Sequence, residues 1–312
     1  MALTPGARVD VTPALVRGLL AAQHPDLAHL PLVVVASGWD NVVLRLGDDL
    51  AVRMPRRDEG APLILHEQQW LPRLAPALDV PVPAPVRTGV PSDGTAGPHY
   101  PWAWSVVPWF HGTLVRELAV ARRAALARAL ADVVVALHVP APAQAPVNAV
   151  RGVGLHTRTP AVHERLATGA VPRAAEVRAA WDALVETPPW AGPPLWLHGD
   201  FHPANLLARD VGGDSEPELA AVLDFGDMTS GDPATDLATA WLTFDAAGRA
   251  LFFERIQSRR PYDDNTWARA RGWGLTMTTG LLAHSDDAPA MRAMGLRALD
   301  ELLDFPHPGA GQ

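Results

Sequence analysis

The spacing of apolar residues changes near residue 110, and this change limits what the chain can fold into more than any other feature. Before it, "LPLVVVASGWDNVVLRLGDDLAVRMP" alternates short apolar runs with turn residues, which predicts strands over 32–36, 42–46 and 50–54. Gly38 and the Gly47-Asp48-Asp49 turn would join them as hairpins. Helical spacing follows over 63–78 and stops at the proline-rich "DVPVPAPV". Two more short strands are expected near 86–88 and 103–107. Ahead of the sheet, Thr12 reads as an N-cap with Pro13 at the first helical position.

After residue 110 the periodicity is helical, with amphipathic candidates at 121–138 and 174–186 and a Pro/Ala loop over 139–147. It returns to strand only around "NLLA" and "LAAVLDF", which flank a polar turn over 209–218. Beyond Asp236 it is helical to the end. The fold class expected is α+β in two lobes: an antiparallel-sheet N-lobe over 1–107 and a mainly helical C-lobe over 108–312. Length agrees, because 312 residues exceed the roughly 250–300 at which a single core tends to split.

Composition removes several classes of function. There is no cysteine, hence no disulfide framework, thiolate metal site or cysteine nucleophile. No stretch approaches the roughly 18–20 apolar residues of a membrane span, and no basic segment precedes an apolar run at the N-terminus. The expectation is a cytoplasmic protein with no membrane partner. A net charge of −8 argues against nucleic acid as a partner. All 26 basic residues are arginine, so any phosphate-binding cation is Arg or a metal.

The chemistry concentrates in "LWLHGDFHPANLL" (195–207) and "AVLDFGD" (221–227). Phosphoryl transfer needs a carboxylate to orient the attacking hydroxyl, hard oxygen ligands for a metal, and cations to spread charge. Asp200 and Asn205, five apart in a loop entering a strand, can face one cleft. Asp224, at the end of the paired strand, would come in beside them. An Asx turn beside a core histidine would also produce "HGD". A third reading takes His198, Asp200 and His202 as a metal cluster for hydrolysis, which leaves Asn205 unexplained.

"HGDFHPAN" (198–205), "DFG" (224–226) and "GDPATDLA" (231–238), in that order, resemble the catalytic and metal-binding loops of the aminoglycoside phosphotransferase family, relatives of protein kinases by fold. The resemblance spans about residues 30–290. It implies a protein-kinase-like fold and an enzyme that moves the γ-phosphate of ATP or GTP to a small-molecule hydroxyl, such as one on an aminoglycoside antibiotic. It implies Asp200 as catalytic base and Asn205 and Asp224 as magnesium ligands. Ser37 and Gly38 in "ASGWDN" would form the loop over the phosphates.

Arg53 in "LAVRMP" stands where the family usually has Lys, with Glu67 as its partner. Without that context the two would be a surface arginine on an edge strand and a solvated helix face. Arg keeps the charge but differs in reach, which leaves ATP against GTP open. In "WSVVPWFHG" the Pro108 carbonyl and Phe110 N–H would meet the purine. His198 and His202 would support the loop. The last third carries the net negative charge, and Asp227, Asp263 and Asp264 would line an acceptor pocket suited to a cation. Asp232 and Asp236 read equally as helix caps. A metabolic kinase for an amino alcohol or sugar, and a nucleotide-binding protein without turnover, are the alternatives within this fold.

Overall fold

The first helix, α1 (Pro13–Gln23), begins where Thr12 accepts a hydrogen bond on Oγ1 from the Leu15 N–H at 3.2 Å. This is a computed structural model that describes residues 6–304 apart from 210, 211, 213, 214 and 286. Next, β1 (Leu32–Ser37), β2 (Asn41–Leu46) and β3 (Leu50–Pro55) form an antiparallel meander whose second turn uses Gly47 at φ +63°. Only glycine adopts that angle without strain. Helix α2 (Ala61–Leu74) follows, then β4 (Arg87–Gly89) and β5 (Trp104–Pro108). The sheet order is β1-β2-β3-β5-β4, so β3 is interior and buried along most of its length. Helix α2 stops before the expected 78. It passes into a 3-10 turn over Ala75–Ala77, where Pro76 has no N–H to continue the ladder.

Apolar faces pair by period. Val42, Leu44 and Leu46, alternate residues of β2, join Val16, Leu19 and Leu20 of α1 and Trp104 of β5 in the N-terminal core. Trp70 and Leu71 of α2 point the other way, into the C-terminal core, where the Trp70 ring lies 5.0 Å from that of Trp196. Ala61, at the start of α2, packs against the N-terminal core, so the helix touches both.

Beyond β5 come β6 (Thr113–Leu114), α3 (Val120–Arg123), α4 (Ala127–Leu137), α5 (Thr159–Ala167) and α6 (Ala174–Leu184). The single helix expected over 121–138 is broken by a 3-10 turn at Ala124–Leu126. There the buried Arg123 guanidinium donates to the carbonyls of Arg116 and Leu118, contacts that a hydrophobic-periodicity reading does not see. Two hairpins then carry the motif. Strand β7 (Leu195–Leu197) pairs with β10 (Thr229–Gly231) around everything between, and β8 (Leu206–Arg209) pairs with β9 (Glu218–Val222) inside it. The polar turn between β8 and β9 lies partly outside the described residues.

The remainder is helical: α7 (Ala234–Leu237), α8 (Thr239–Thr243), α9 (Ala246–Arg259), α10 (Asp264–Ala283) and α11 (Pro289–Leu303). Helix α10, buried along its middle, packs against α5, α6, α7 and α11. Among the described residues no helix is long and apolar enough to cross a membrane.

Candidate active site

The loop from His198 to Asn205 hangs between β7 and β8 and is fastened from behind. The N–H groups of His198 and Gly199 both donate to the buried Asp236 carboxylate, each at 2.8 Å. His138 Nε2 lies 3.3 Å from the same carboxylate, and its Nδ1 is 2.8 Å from the Tyr262 hydroxyl. Asp236 is therefore an anchor for the loop rather than a helix cap. Asp232 is not the cap either, since Pro233 holds that position; its carboxylate accepts from the Ala234 N–H at 3.0 Å in a turn ahead of α7 and pairs with Arg269 at 2.7 Å. Gly199 sits at φ +85°, and a Cβ there would run into the Asp227 carbonyl.

Both loop histidines spend their nitrogens inside the protein. His198 Nδ1 accepts from the Asp200 N–H at 3.2 Å and Nε2 lies 2.9 Å from the Leu223 carbonyl, with the ring stacked on Phe201. His202 Nδ1 accepts from the Ala204 N–H at 3.2 Å, and its Nε2 is 3.1 Å from Asp200 Oδ2. Neither has a nitrogen to offer a hydrolytic metal. The metal-cluster reading therefore loses two of its three ligands.

Asp200 projects from this fastened loop with 24 % of its side chain exposed. Oδ1 accepts from Arg151 Nη2 at 3.1 Å, and Oδ2 accepts from Asn205 Nδ2 at 3.3 Å. Burial alone would raise its pKa, but His202, Arg151 and His198 outweigh that and hold the carboxyl well below the usual range. The residue is an anion. Burial would lower His202, and the Asp200 charge more than offsets it, so that histidine is shifted upward.

Asn205 and Asp224 meet through the inner hairpin, where the Leu223 N–H donates to the Asn205 carbonyl at 2.8 Å. Asp224 lies just past β9, at φ 55° and ψ 73°. This left-handed conformation costs energy for any residue with a Cβ, and Asp tolerates it better than most. It turns the carboxylate toward β3, where Arg53 Nη2 donates to Oδ1 at 3.0 Å. The same nitrogen is 3.1 Å from Glu67 Oε1. Arg53 belongs to the interior strand and Glu67 to the buried face of α2, so neither is a solvated surface group. Burial pushes the Glu67 carboxyl up to about 7 in spite of Arg53, and no aligned hydrogen bond reaches either of its oxygens.

In the N-terminal sheet, Arg56 Nη1 donates to Ser37 Oγ at 3.1 Å and to the Gly38 carbonyl at 3.0 Å, pinning the β1–β2 turn to the end of β3. The exposed Trp39 at its tip reaches across to His284 after α10, ring centroids 6.3 Å apart. Pro108 ends β5 opposite Leu50. The Trp109 N–H is taken by the Asp49 carbonyl, whereas that of Phe110 has no partner among the described residues.

Of the acids expected to line an acceptor pocket, only Asp227 joins this group. It accepts from Asn148 Nδ2 at 2.9 Å and lies 3.7 Å from Arg151, and burial pushes its carboxyl up. Asp263 caps α10 instead, its Oδ1 accepting from the Thr266 N–H at 2.8 Å and hydroxyl at 2.6 Å. Asp264 is exposed in the first turn of that helix. No hydrogen bond or ion pair ties either to Asp200 among the described residues.

A family model described as the phosphotransferase enzyme family, APH, matches residues 31–273. The chain belongs to that family. Solved phosphotransferases share the fold at low identity. The GDP complex of wild-type aminoglycoside 2'-phosphotransferase-IIIa is 19 % identical with a TM-score of 0.65, covering 94 % of this chain and 99 % of that one. The GDP and kanamycin complex of APH(2")-IIia is 19 % identical with a TM-score of 0.63, over 91 % and 96 %. Macrolide 2'-phosphotransferase MphH from Brachybacterium faecium, as apoenzyme, is 22 % identical with a TM-score of 0.56, over 89 % and 93 %. No curated protein matches by sequence.

In this phosphotransferase, three groups carried no sequence signal. Arg151 follows a Pro/Ala tract that reads as a plain loop, and its partner Asp200 is 49 residues away. Asn148 is the residue just after that tract. His138 looks like the last residue of an ordinary amphipathic helix. Asp236 did carry a signal, since it stands in "GDPATDLA", but its role as anchor shows only once His198 and Gly199 are seen above it.

Proposed function

We propose that this phosphotransferase moves the γ-phosphate of ATP or GTP to a hydroxyl of a small molecule, with Asp200 as catalytic base. The observation that supports this best is an ionised, partly exposed Asp200 held beside Asn205, in the same cleft as the Asp224–Arg53–Glu67 chain. Asp200 orients the acceptor hydroxyl by accepting its hydrogen bond. As that oxygen bonds to the γ-phosphorus, the bond to the β-phosphate oxygen breaks, the proton passes to Asp200, and the nucleoside diphosphate leaves. Residues 1–107 are the nucleotide lobe and 108–312 the catalytic lobe. Ser37 and Gly38 cover the phosphates, Arg53 set by Glu67 faces them, and the Pro108 carbonyl and Phe110 N–H meet the purine.

Asn205 Oδ1 and Asp224 Oδ2 have no donor among the described residues, and hard oxygens of this kind suit magnesium. Magnesium held there would neutralise charge on the phosphate oxygens. An antibiotic is the first acceptor class to try, since a similar structure holds kanamycin. The cytoplasm, which supplies the nucleotide, is the expected location.

The test is ADP and GDP release with magnesium across aminoglycosides, macrolides, sugars and amino alcohols. Turnover with one class is expected, falling about 100-fold or more in kcat for Asp200→Asn while nucleotide affinity is kept. Nucleotide-dependent thermal stabilisation without release from any acceptor would support the non-catalytic alternative. Absence of nucleotide binding would end the reading.

A further inference from the structure

Two acids of the site share one cation. Asp200 Oδ1 accepts from Arg151 Nη2 at 3.1 Å, and the same nitrogen lies 3.7 Å from Asp227 Oδ2. Asp227 uses its other oxygen on Asn148 Nδ2 at 2.9 Å. One short loop, 148–152, therefore grips both carboxylates, the first by its arginine and the second by its asparagine. Carboxylates that share a single guanidinium nitrogen stand close enough to repel, and without that cation they would turn apart.

The loop is stapled to the frame that carries the catalytic segment. The Asn148 N–H donates to Thr229 Oγ1 at 2.8 Å, and the Val150 N–H closes an Asx turn on Asn148 Oδ1 at 2.8 Å. The Gly152 N–H donates to Thr235 Oγ1 at 3.2 Å, and its carbonyl accepts from the Asp232 N–H at 2.9 Å. Gly152 takes φ +68°, and a Cβ on Gly231 would run into its carbonyl. Thr229 and Gly231 belong to β10, which pairs with β7, the strand from which the loop of Asp200 hangs. Arg151 and Asp200 are thus fixed to one two-stranded support.

The partners of Asp200 also decide which of its oxygens is open. Each carboxylate oxygen has about two lone-pair sites. On Oδ2 both are taken. Asn205 Nδ2 donates there at 3.3 Å. His202 Nδ1 accepts from the Ala204 N–H, so the ring hydrogen is on Nε2, which donates to Oδ2 at 3.1 Å. Oδ1 has Arg151 and, among the described residues, no second donor. The open site on Asp200 is therefore on the oxygen that Arg151 holds.

We propose that Arg151 is a positioning residue for the transfer: it fixes Asp200 so that Oδ1 receives the acceptor hydroxyl. The hydroxyl proton goes to Oδ1 as the acceptor oxygen bonds to the γ-phosphorus and the nucleoside diphosphate leaves. Arg151 makes no ion pair with Asp224 or Glu67 among the described residues, so its loss spares nucleotide binding. The proposal rests on the reading of Asp200 as catalytic base, but the hold on Asp200 can be measured apart from turnover.

The experiment compares wild type, Arg151→Ala, Arg151→Lys, Asp200→Asn and the Arg151→Ala/Asp200→Asn double variant. ADP release from ATP with magnesium is measured with aminoglycosides, macrolides, sugars, amino alcohols and water as nucleophiles, and wild type and R151A are crystallised. Urea midpoints establish that each variant is folded at the assay temperature, and R151K carries the comparison if R151A does not fold. An ångström of displacement at the base is worth about 100-fold, so R151A should lose about that in kcat with its ATP KM within about three-fold of wild type. R151K, which keeps the charge with a different reach, should fall between them. Guanidinium ion added to R151A should restore about ten-fold, and sodium at the same concentration should not. In the D200N background the loss of Arg151 should cost no more than about three-fold further, because the two act as a unit. A kcat for R151A within about three-fold of wild type overturns the proposal, as does a full further loss of about 100-fold in the double variant. A raised ATP KM at unchanged kcat overturns it too, since Arg151 would then be holding phosphates. Absence of ADP release by wild type with every nucleophile refutes the catalytic reading instead. The crystal structures then decide the placement: Asp200 turned away in R151A supports it, and Asp200 unmoved overturns it.

Discussion

Replacing Asp236 with Ala would remove the acceptor of two buried backbone N–H groups and the partner of His138. Each N–H left unsatisfied costs about 1–3 kcal/mol, and the histidine adds a further contribution of similar size. A loss of about 4–6 kcal/mol follows, a large part of the roughly 5–15 kcal/mol that separates folded from unfolded chains. Asp236→Asn keeps the shape and one accepting oxygen but turns its NH₂ toward a donor, so about 2 kcal/mol is expected. Activity should fall beyond what unfolding explains. The Asp200 N–H is bonded to His198, and an ångström of displacement at the reacting group is worth about 10²-fold in rate. The assay is urea unfolding with matched m values, alongside ADP release at a temperature where both variants remain folded. A midpoint for D236A within about 0.5 kcal/mol of wild type would refute the anchoring role, as would D236N and D236A behaving alike.

The pH dependence of stability should carry a Glu67 signature. Its folded carboxyl at about 7 lies above the ordinary value of 4.5, so between those two values the native state binds the extra proton. Stability from this group is complete below about 4.5 and declines by about 3 kcal/mol as pH rises through 7. Asp200, shifted downward, acts oppositely and only in acid. Unfolding of wild type against Glu67→Gln at pH 5 and pH 8 isolates the slope, and a constant difference would show that Glu67 does not titrate as described. Arg53→Met should raise the Glu67 carboxyl further, and at pH 8, where wild-type Glu67 is ionised, it should lower stability by about 3–5 kcal/mol through loss of the buried counter-ion. In the Arg53→Met/Glu67→Gln double variant much of that loss should return; strict additivity of the two would deny the pairing. Gly199→Ala should impose both a strained φ and a clash with the Asp227 carbonyl, costing about 2–4 kcal/mol and most of the activity. Wild-type kcat in a folded G199A protein would refute that.

The strands of the N-terminal sheet, the Thr12 cap and the turn at Gly47 were legible in the sequence because each is decided by residues a few positions apart. Period-2 alternation selects the buried face of β2, a hydroxyl three residues upstream caps α1, and glycine alone tolerates φ +63°. The order of "HGDFHPAN" and "DFG" singled out Asp200, Asn205 and Asp224 for the same reason, since the loop and the inner hairpin that bring them together are short-range structures. Tertiary structure decided everything that depends on who arrives from far away. Arg53 and Glu67 are a buried pair only because β3 is interior and α2 lies across it. Arg123 breaks a helix whose own pattern is continuous, because carbonyls outside that helix accept its guanidinium. Asp263 is a cap and Asp236 an anchor, although both are aspartates near helix starts in the acidic last third. Arg151 acquires meaning only beside Asp200 and Asp227. Local propensity acts over one or two turns of chain, whereas the sign and burial of a charge are set by its neighbours in space, which a linear pattern does not encode.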